Sequence, residues 1–352
     1  MSYADFLHIL PLGNLNPPDH TFPTSHMYFA LGSVQGPPGS GPFGNGAVFP
    51  QKPVFAVADG VIVEIGVTQV TTVLSGQTTR YEEYSFVLGV CGGLRARYGH
   101  VGPLSAELQA AVSQAARPNY CNIYDGAGST YELCNYRPDL PVRGGQQLAM
   151  TSGRVAAFDF GAYDFVDPVA GFGRPDLYGD EAKGSICLLS LYSGDEKAKM
   201  SDRVGGWGTE KPPAGWCGKV NQDMPGTAQG NWFKDITKFS SEDENVALIY
   251  DSIDPSKPVF SLGRSVPGAG SGTLYFSPRP NGEVNRLFAD VKPGGGTYCY
   301  EGFGDRWGNK IDGYTLRIAL ADPETLHIEA VPGALCGTGP WVVSASAATL
   351  RR

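Results

Sequence analysis

Imidazole is scarce in this chain: five histidines occur in 352 residues. Two of them, His20 and His26, stand close together in the segment HTFPTSHMYF (20–29). Imidazole nitrogens suit zinc and similar ions, and carboxylates complete such sites. His100, in ARYGHVGPL, ends a strand-like segment, where side chains project at a sheet rim. Asp159, in RVAAFDFGAYDF, lies in an otherwise apolar strand, and a carboxylate there is costly to bury unless it is paired or metal-bound. Alternation puts Asp159 on one face with Ala157 and Gly161, while Phe158 and Phe160 point the other way. One sheet could therefore present His26, His100 and Asp159 together. A simple surface histidine pair also accounts for the spacing of His20 and His26. His8 and His327 read as solvated.

The elements that must position these groups are mostly strands. PVFAVADGVIVEIGV (53–67) reads as a strand, an Asp-Gly turn and a second strand. TLRIAL (315–320) and TLHIEA (325–330) alternate with period two around ADPE, which predicts a hairpin. The best helical signal is GPLSAELQAAVSQAARP (102–118), with Ser105 as cap and Pro118 as stop. LGSVQGPPGSGPFGNGAVFP (31–50) reads as a long irregular loop.

Gly 48 and Pro 27 are high counts, but 41% apolar residues with 17 each of Tyr and Phe argue for a packed, turn-rich β protein. The net charge is −8 and no Lys/Arg run exceeds a dipeptide, which argues against nucleic acid as a partner. No apolar run reaches the roughly 18 residues of a membrane span. All five tryptophans follow DFVDPVAGFGRPDLYGDEAKG (164–184). This shift predicts a first domain over 1–165, a linker over 166–184 and a second all-β domain over 185–352. GTAQGNWF (226–233) faintly resembles the Gly-x-Trp start of lipocalin-like barrels, with Trp232 expected in a core. Trp207 and Trp216, in a Gly/Pro loop, are expected to be more exposed, where tryptophans can stack on sugars.

None of the seven cysteines has metal-ligand spacing. Chain order suggests disulfides Cys121–Cys134, Cys187–Cys217 and Cys299–Cys336, with Cys91 left over, and hence an oxidising compartment. MSYADFLHIL lacks the basic start and long apolar centre of a signal peptide, so a secreted or periplasmic location implies a leader already removed.

The order of segments in the first half resembles the lysostaphin-like (LytM-type) zinc endopeptidases, β-sandwiches of the duplicated-hybrid-motif kind. HTFPTSHMYF, PVFAVADGVIVEIG, RYGHV, VRGGQQLAMTSG (142–153) and AAFDFGAYD (156–164) fall at the places of that family's five motifs. The fold class this implies is all-β: a lysostaphin-like sandwich followed by a second β-barrel or β-sandwich. The resemblance places the metal ligands at His20, His26 and Asp159, where the family has His, Asp and His. It places the conserved catalytic imidazole at His100 and the second one at Ala157, which has none. A His-His-Asp set would take one divalent metal, zinc by the resemblance, with iron or manganese also suited. His100 would then assist proton transfer, and Tyr28 or Tyr163 could donate to an oxyanion. The leading expectation is a secreted metal-dependent hydrolase of peptide, including bacterial cell-wall peptide, or of other amide or ester bonds. The competing expectation is a degenerate domain that binds a ligand, peptidoglycan or another polymer.

Overall fold

Antiparallel strands are the predominant regular structure of the chain, as its period-two segments require. A computed structural model describes all residues except 33–48, 75–76, 116, 127–128, 208–209, 238–241 and 334. The loop expected over 31–50 lies mostly outside the described residues. The chain divides into two units that interleave in sequence. The first comprises Met1–Pro11, Ser25–Pro168 and Gly184–Cys217; the second comprises Leu12–Thr24, Val169–Lys183 and Gly218–Arg352. Most of the segment read as a linker, Val169–Lys183, thus belongs to the second unit.

The first unit is built on one sheet. Its strands are β1 (Ile9–Leu10), β2 (Met27–Ala30), β3 (Pro53–Phe55), β4 (Gly60–Leu74), β5 (Gln77–Gly89), β6 (Leu94–Leu104), β7 (Tyr120–Gly126), β8 (Ser129–Tyr136), β9 (Leu140–Val142), β10 (Gln147–Thr151), β11 (Ala157–Asp164) and β12 (Ser185–Ile186). The main path runs β1-β2-β11-β6-β5-β4-β8-β7, with every pair antiparallel. The segment 53–67 supplies two strands, as expected, but they do not pair with each other. β3 pairs with β10, and β4 pairs with β5, β8 and β9. The one helix expected from sequence is present as α1 (Ala106–Gln114), and the Ser105 hydroxyl caps it by accepting the Leu108 N–H at 3.4 Å.

Alternation on β11 sorts the sheet into two chemically different faces. Phe158 and Phe160 point into an aromatic layer with Phe29 of β2 and Tyr98 of β6. Phe86 of β5 stacks on Tyr98 with centroids 4.5 Å apart. These rings bind the central strands to one another, so β11 cannot slip register without exposing the whole layer. The opposite face carries Asp159.

The second unit has two open antiparallel sheets over one core. The first contains β13 (Gly230–Trp232), β14 (Val246–Tyr250), β15 (Pro258–Leu262), β16 (Gly272–Tyr275), β18 (Phe303–Gly304) and β19 (Lys310–Ile311); the other contains β17 (Thr297–Tyr300), β20 (Tyr314–Asp322), β21 (Thr325–Pro332) and β22 (Ala348–Arg351). β20 and β21 form the hairpin that their alternation predicts. Trp232, Phe260, Phe288 and Tyr300 are fully buried in the shared core. Trp232 donates its indole N–H to the Ala228 carbonyl at 2.8 Å, which satisfies its one polar atom. Trp207 and Trp216 are only half-buried. His327 is likewise half-buried, its Nδ1 3.1 Å from the Thr349 hydroxyl.

The chain is all-β and carries the three disulfides that cysteine order suggests: Cys121–Cys134, Cys187–Cys217 and Cys299–Cys336. The first crosses directly opposed residues of β7 and β8. Each is worth about 3 kcal/mol by the chain-entropy account. Cys91 is exposed and unbridged. Alkylation of the denatured, unreduced protein should therefore label one thiol, and labelling after reduction should reach the full complement; more than one thiol before reduction would show the bridges to be absent. Among the described residues, no helix is long and apolar enough to cross a membrane.

Candidate functional site

The polar face of β11 builds its site around Asp159. In register, Asp159 is flanked by Tyr28 on β2 and Gly99 on β6. A side chain at residue 99 would press on it: a Cβ there would stand 3.0 Å from Asp159 Cβ and 3.3 Å from its Oδ2. Glycine at this position leaves the room that the carboxylate occupies.

Two imidazoles converge on the same carboxylate oxygen. His26 Nε2 lies 3.3 Å from Asp159 Oδ2, and His100 Nε2 lies 3.4 Å from it. On its other side, His100 Nδ1 lies 3.1 Å from Glu83 Oε2. The order is thus His26, Asp159, His100, Glu83. The structure brings together three residues marked from sequence, His26, His100 and Asp159, and adds Glu83. His20 belongs to the second unit, where its backbone exchanges hydrogen bonds with Asn16 at 2.9 and 3.0 Å. Asp19 ends the intervening turn.

His100 reaches this position through an unusual backbone. Its φ is 52°, in the left-handed region that side chains other than glycine rarely adopt. The register of β6 against β5 also shifts here, between Tyr84 and Phe86, and its register against β10 shifts between Ala149 and Thr151. This irregularity turns the imidazole off the regular alternation of β6 and aims it at both carboxylates. The Ser152 N–H holds the bend by donating to the His100 carbonyl at 2.8 Å.

Burial makes the charges matter. Asp159, His26 and Glu83 are all buried, while the His100 side chain keeps 28% of its surface exposed. Burial alone would lower the His100 pKa, but the Asp159 and Glu83 carboxylates outweigh it and lift it to about 9. Burial alone would raise the Asp159 pKa, but His100 and His26 outweigh it and hold the carboxyl far below its usual range. Burial opposes His100 in the same way at Glu83, and the net shift there is also downward. At neutral pH His100 is charged between the Asp159 and Glu83 carboxylates, and its exposed edge is the solvent-facing part of the cluster.

The remaining marked residues sit beside this chain. Tyr28 is buried, its ring centroid 4.8 Å from that of His26. Tyr163 lies two positions along the same face of β11, folded over Gly161 and stacked on Phe165. Ala157, where the resemblance would put a second catalytic imidazole, packs instead with Leu10, Tyr28 and Ala30, and Trp207 lies against the group.

The donor types match those zinc takes, and the 3.3 and 3.4 Å separations of the two imidazole nitrogens from Asp159 Oδ2 suit an ion pair as well as donors around one tetrahedral ion. Among the described residues, no group of three or more His, Cys, Asp or Glu side chains is arranged to hold a metal ion. No family model, no curated protein and no solved structure matches the chain, so the likeness to lysostaphin-like peptidases rests on the quoted motifs alone.

Proposed function

We propose that this chain is an extracellular binding protein built on a peptidase-like β fold, in which internal ion pairing has taken the place of a metal. The observation that supports this reading most directly is the double engagement of Asp159 Oδ2 by His26 and His100. A general base works best with a pKa near the operating pH. Here both carboxylates are held low and the imidazole of His100 is held high, so none of the three is poised to shuttle a proton at neutral pH. The apolar packing at Ala157 points the same way. The ligand class implied by the resemblance is a peptide-bearing extracellular polymer such as peptidoglycan. The exposed His100 edge, whose two ring nitrogens face Glu83 and Asp159, would offer its positive charge to the ligand's carboxylate oxygens. Three disulfides suit an oxidising, extracellular setting.

A metal-dependent hydrolase of amide or ester bonds is the second reading. It is favoured by the convergence of two imidazoles and a carboxylate, with Glu83 behind His100 as carboxylates often stand behind metal-bound histidines. Zinc analysis separates the two. The protein is dialysed against zinc, freed of excess, and assayed for bound metal, for retention on insoluble peptidoglycan and for release of soluble fragments. The binding reading expects well under one equivalent of zinc, retention, and no release. One equivalent of zinc, lost in His26→Ala, together with zinc-dependent release, would replace it with the hydrolase.

A further inference from the structure

A cavity of about 190 Å³ lies in the first unit, against the aromatic face of β11 and β6. Phe29, Tyr98, Phe158 and Phe160 line it together with Tyr192 and Met200. Phe158 and Phe160 alternate with Asp159 along β11, so the cavity and the His–Asp cluster occupy opposite faces of the same strand.

The cavity is partly open to solvent, and its volume exceeds that of the engineered apolar cavity of about 150 Å³ known to take up benzene. It is also preformed, because its rings are fixed edge to face on hydrogen-bonded strands and cannot fold inward to fill it. Its mouth is marked by Val57, which is about half exposed. Most of the wall is aromatic, which holds water poorly and stacks well on another ring.

The Tyr98 and Tyr192 hydroxyls and the Glu196 carboxylate are among the polar groups of the lining, and Tyr98 is the buried one. The buried Tyr98 hydroxyl accepts the Val57 N–H at 3.1 Å, and among the described residues no acceptor takes its own proton. A guest that places an oxygen acceptor there satisfies it.

We infer that this cavity is a binding site for a single-ring aromatic molecule bearing a hydrogen-bond acceptor, a phenol in size and chemistry, with Tyr98 as the group that orients it. The inference does not rest on the reading of the His–Asp cluster, since none of the cluster's side chains lines the cavity.

The test is calorimetric titration of the full chain with phenol, toluene and cyclohexanol. Phenol should bind at one equivalent, toluene more weakly and cyclohexanol more weakly still. Tyr98→Phe keeps the ring and removes the hydroxyl. It should weaken phenol about tenfold and leave toluene unchanged. Val57→Trp fills the mouth and should abolish binding of both, with the thermal unfolding midpoint retained as proof of folding; Met200→Trp serves the same purpose from another lining position. Absence of phenol and toluene binding to the unaltered chain overturns the site. Binding that persists unchanged in both tryptophan variants overturns it equally. A Tyr98→Phe variant that binds phenol as well as the parent overturns the orienting role.

Discussion

Asp159→Ala should destabilise the protein by about 3–5 kcal/mol, the usual penalty for removing one partner of a buried ion pair. The penalty is large because the carboxylate serves two imidazoles at once, His26 at 3.3 Å and His100 at 3.4 Å. Its loss leaves Glu83 as the sole counter-charge for His100 and opens a void beside Gly99. Asp159→Asn fills that void without the charge and should cost less. Equilibrium unfolding in urea measures both. Combining Asp159→Ala with His100→Ala should recover part of the loss, since the second change removes the charge that the first stranded. An Asp159→Ala variant within about 1 kcal/mol of the parent would mean that the cluster is not ion-paired in solution.

Much of this arrangement is legible in the sequence because its causes are local. Strict alternation in AAFDFGAYD dictates that Asp159 and the two phenylalanines face opposite ways, and the ring contacts of Phe158 and Phe160 follow. Ser105 marks the start of α1 because only a short side-chain oxygen can reach back to the Leu108 N–H. The three disulfides join cysteines that are neighbours in chain order, so the simplest pairing is also the one formed. Glu83 is different. It sits in YEEY, where two adjacent acids on a strand point to opposite faces, and nothing local says which is buried. Its partnership with His100 depends on a register shift between β5 and β6 and on a left-handed residue, neither of which has a motif. A positive φ at a histidine is not signalled as it would be at glycine.

The interleaving of the units is illegible for a related reason. Leu12–Thr24 splits the HTFPTSHMYF motif, leaving His20 in one unit and His26 in the other. Composition marks where a chain becomes loop-like, and it is silent on which core a loop joins. The strands of 53–67 show the same limit: propensity finds both, but their partners β10 and β5 are fixed by tertiary packing.

Stability should fall as pH rises from about 6.5 to about 9, and Asp159→Asn should remove a defined part of that fall. The folded-state pKa of His100 is raised from 6.5 to about 9, so the folded chain holds this proton more tightly than the unfolded chain. Its contribution is therefore complete below about pH 6.5 and lost as pH climbs through about 9. Asp159 and Glu83 are shifted downward, so their contributions are present above their ordinary values of 3.8 and 4.5 and disappear in acid. The cluster is strongest between those limits, at about pH 5–6. The full His100 shift corresponds to about 3 kcal/mol. Its 28% exposed side chain is partly screened by water, which lowers the expected figure to about 2 kcal/mol. A second group acts in the same direction. Burial lifts Glu242, whose carboxylate accepts the Phe22 N–H at 2.9 Å, to about 8, so its protonated form also favours folding and is lost as pH rises. The parent curve alone thus mixes the two. The difference between parent and Asp159→Asn isolates the cluster, because Glu242 is common to both. Urea midpoints taken every half unit from pH 5 to 9.5 should give a difference that shrinks by about 1–2 kcal/mol above pH 7. A difference independent of pH would show that His100 carries no extra proton, and the charged link from Asp159 through His100 to Glu83 would have to be redrawn as neutral hydrogen bonds.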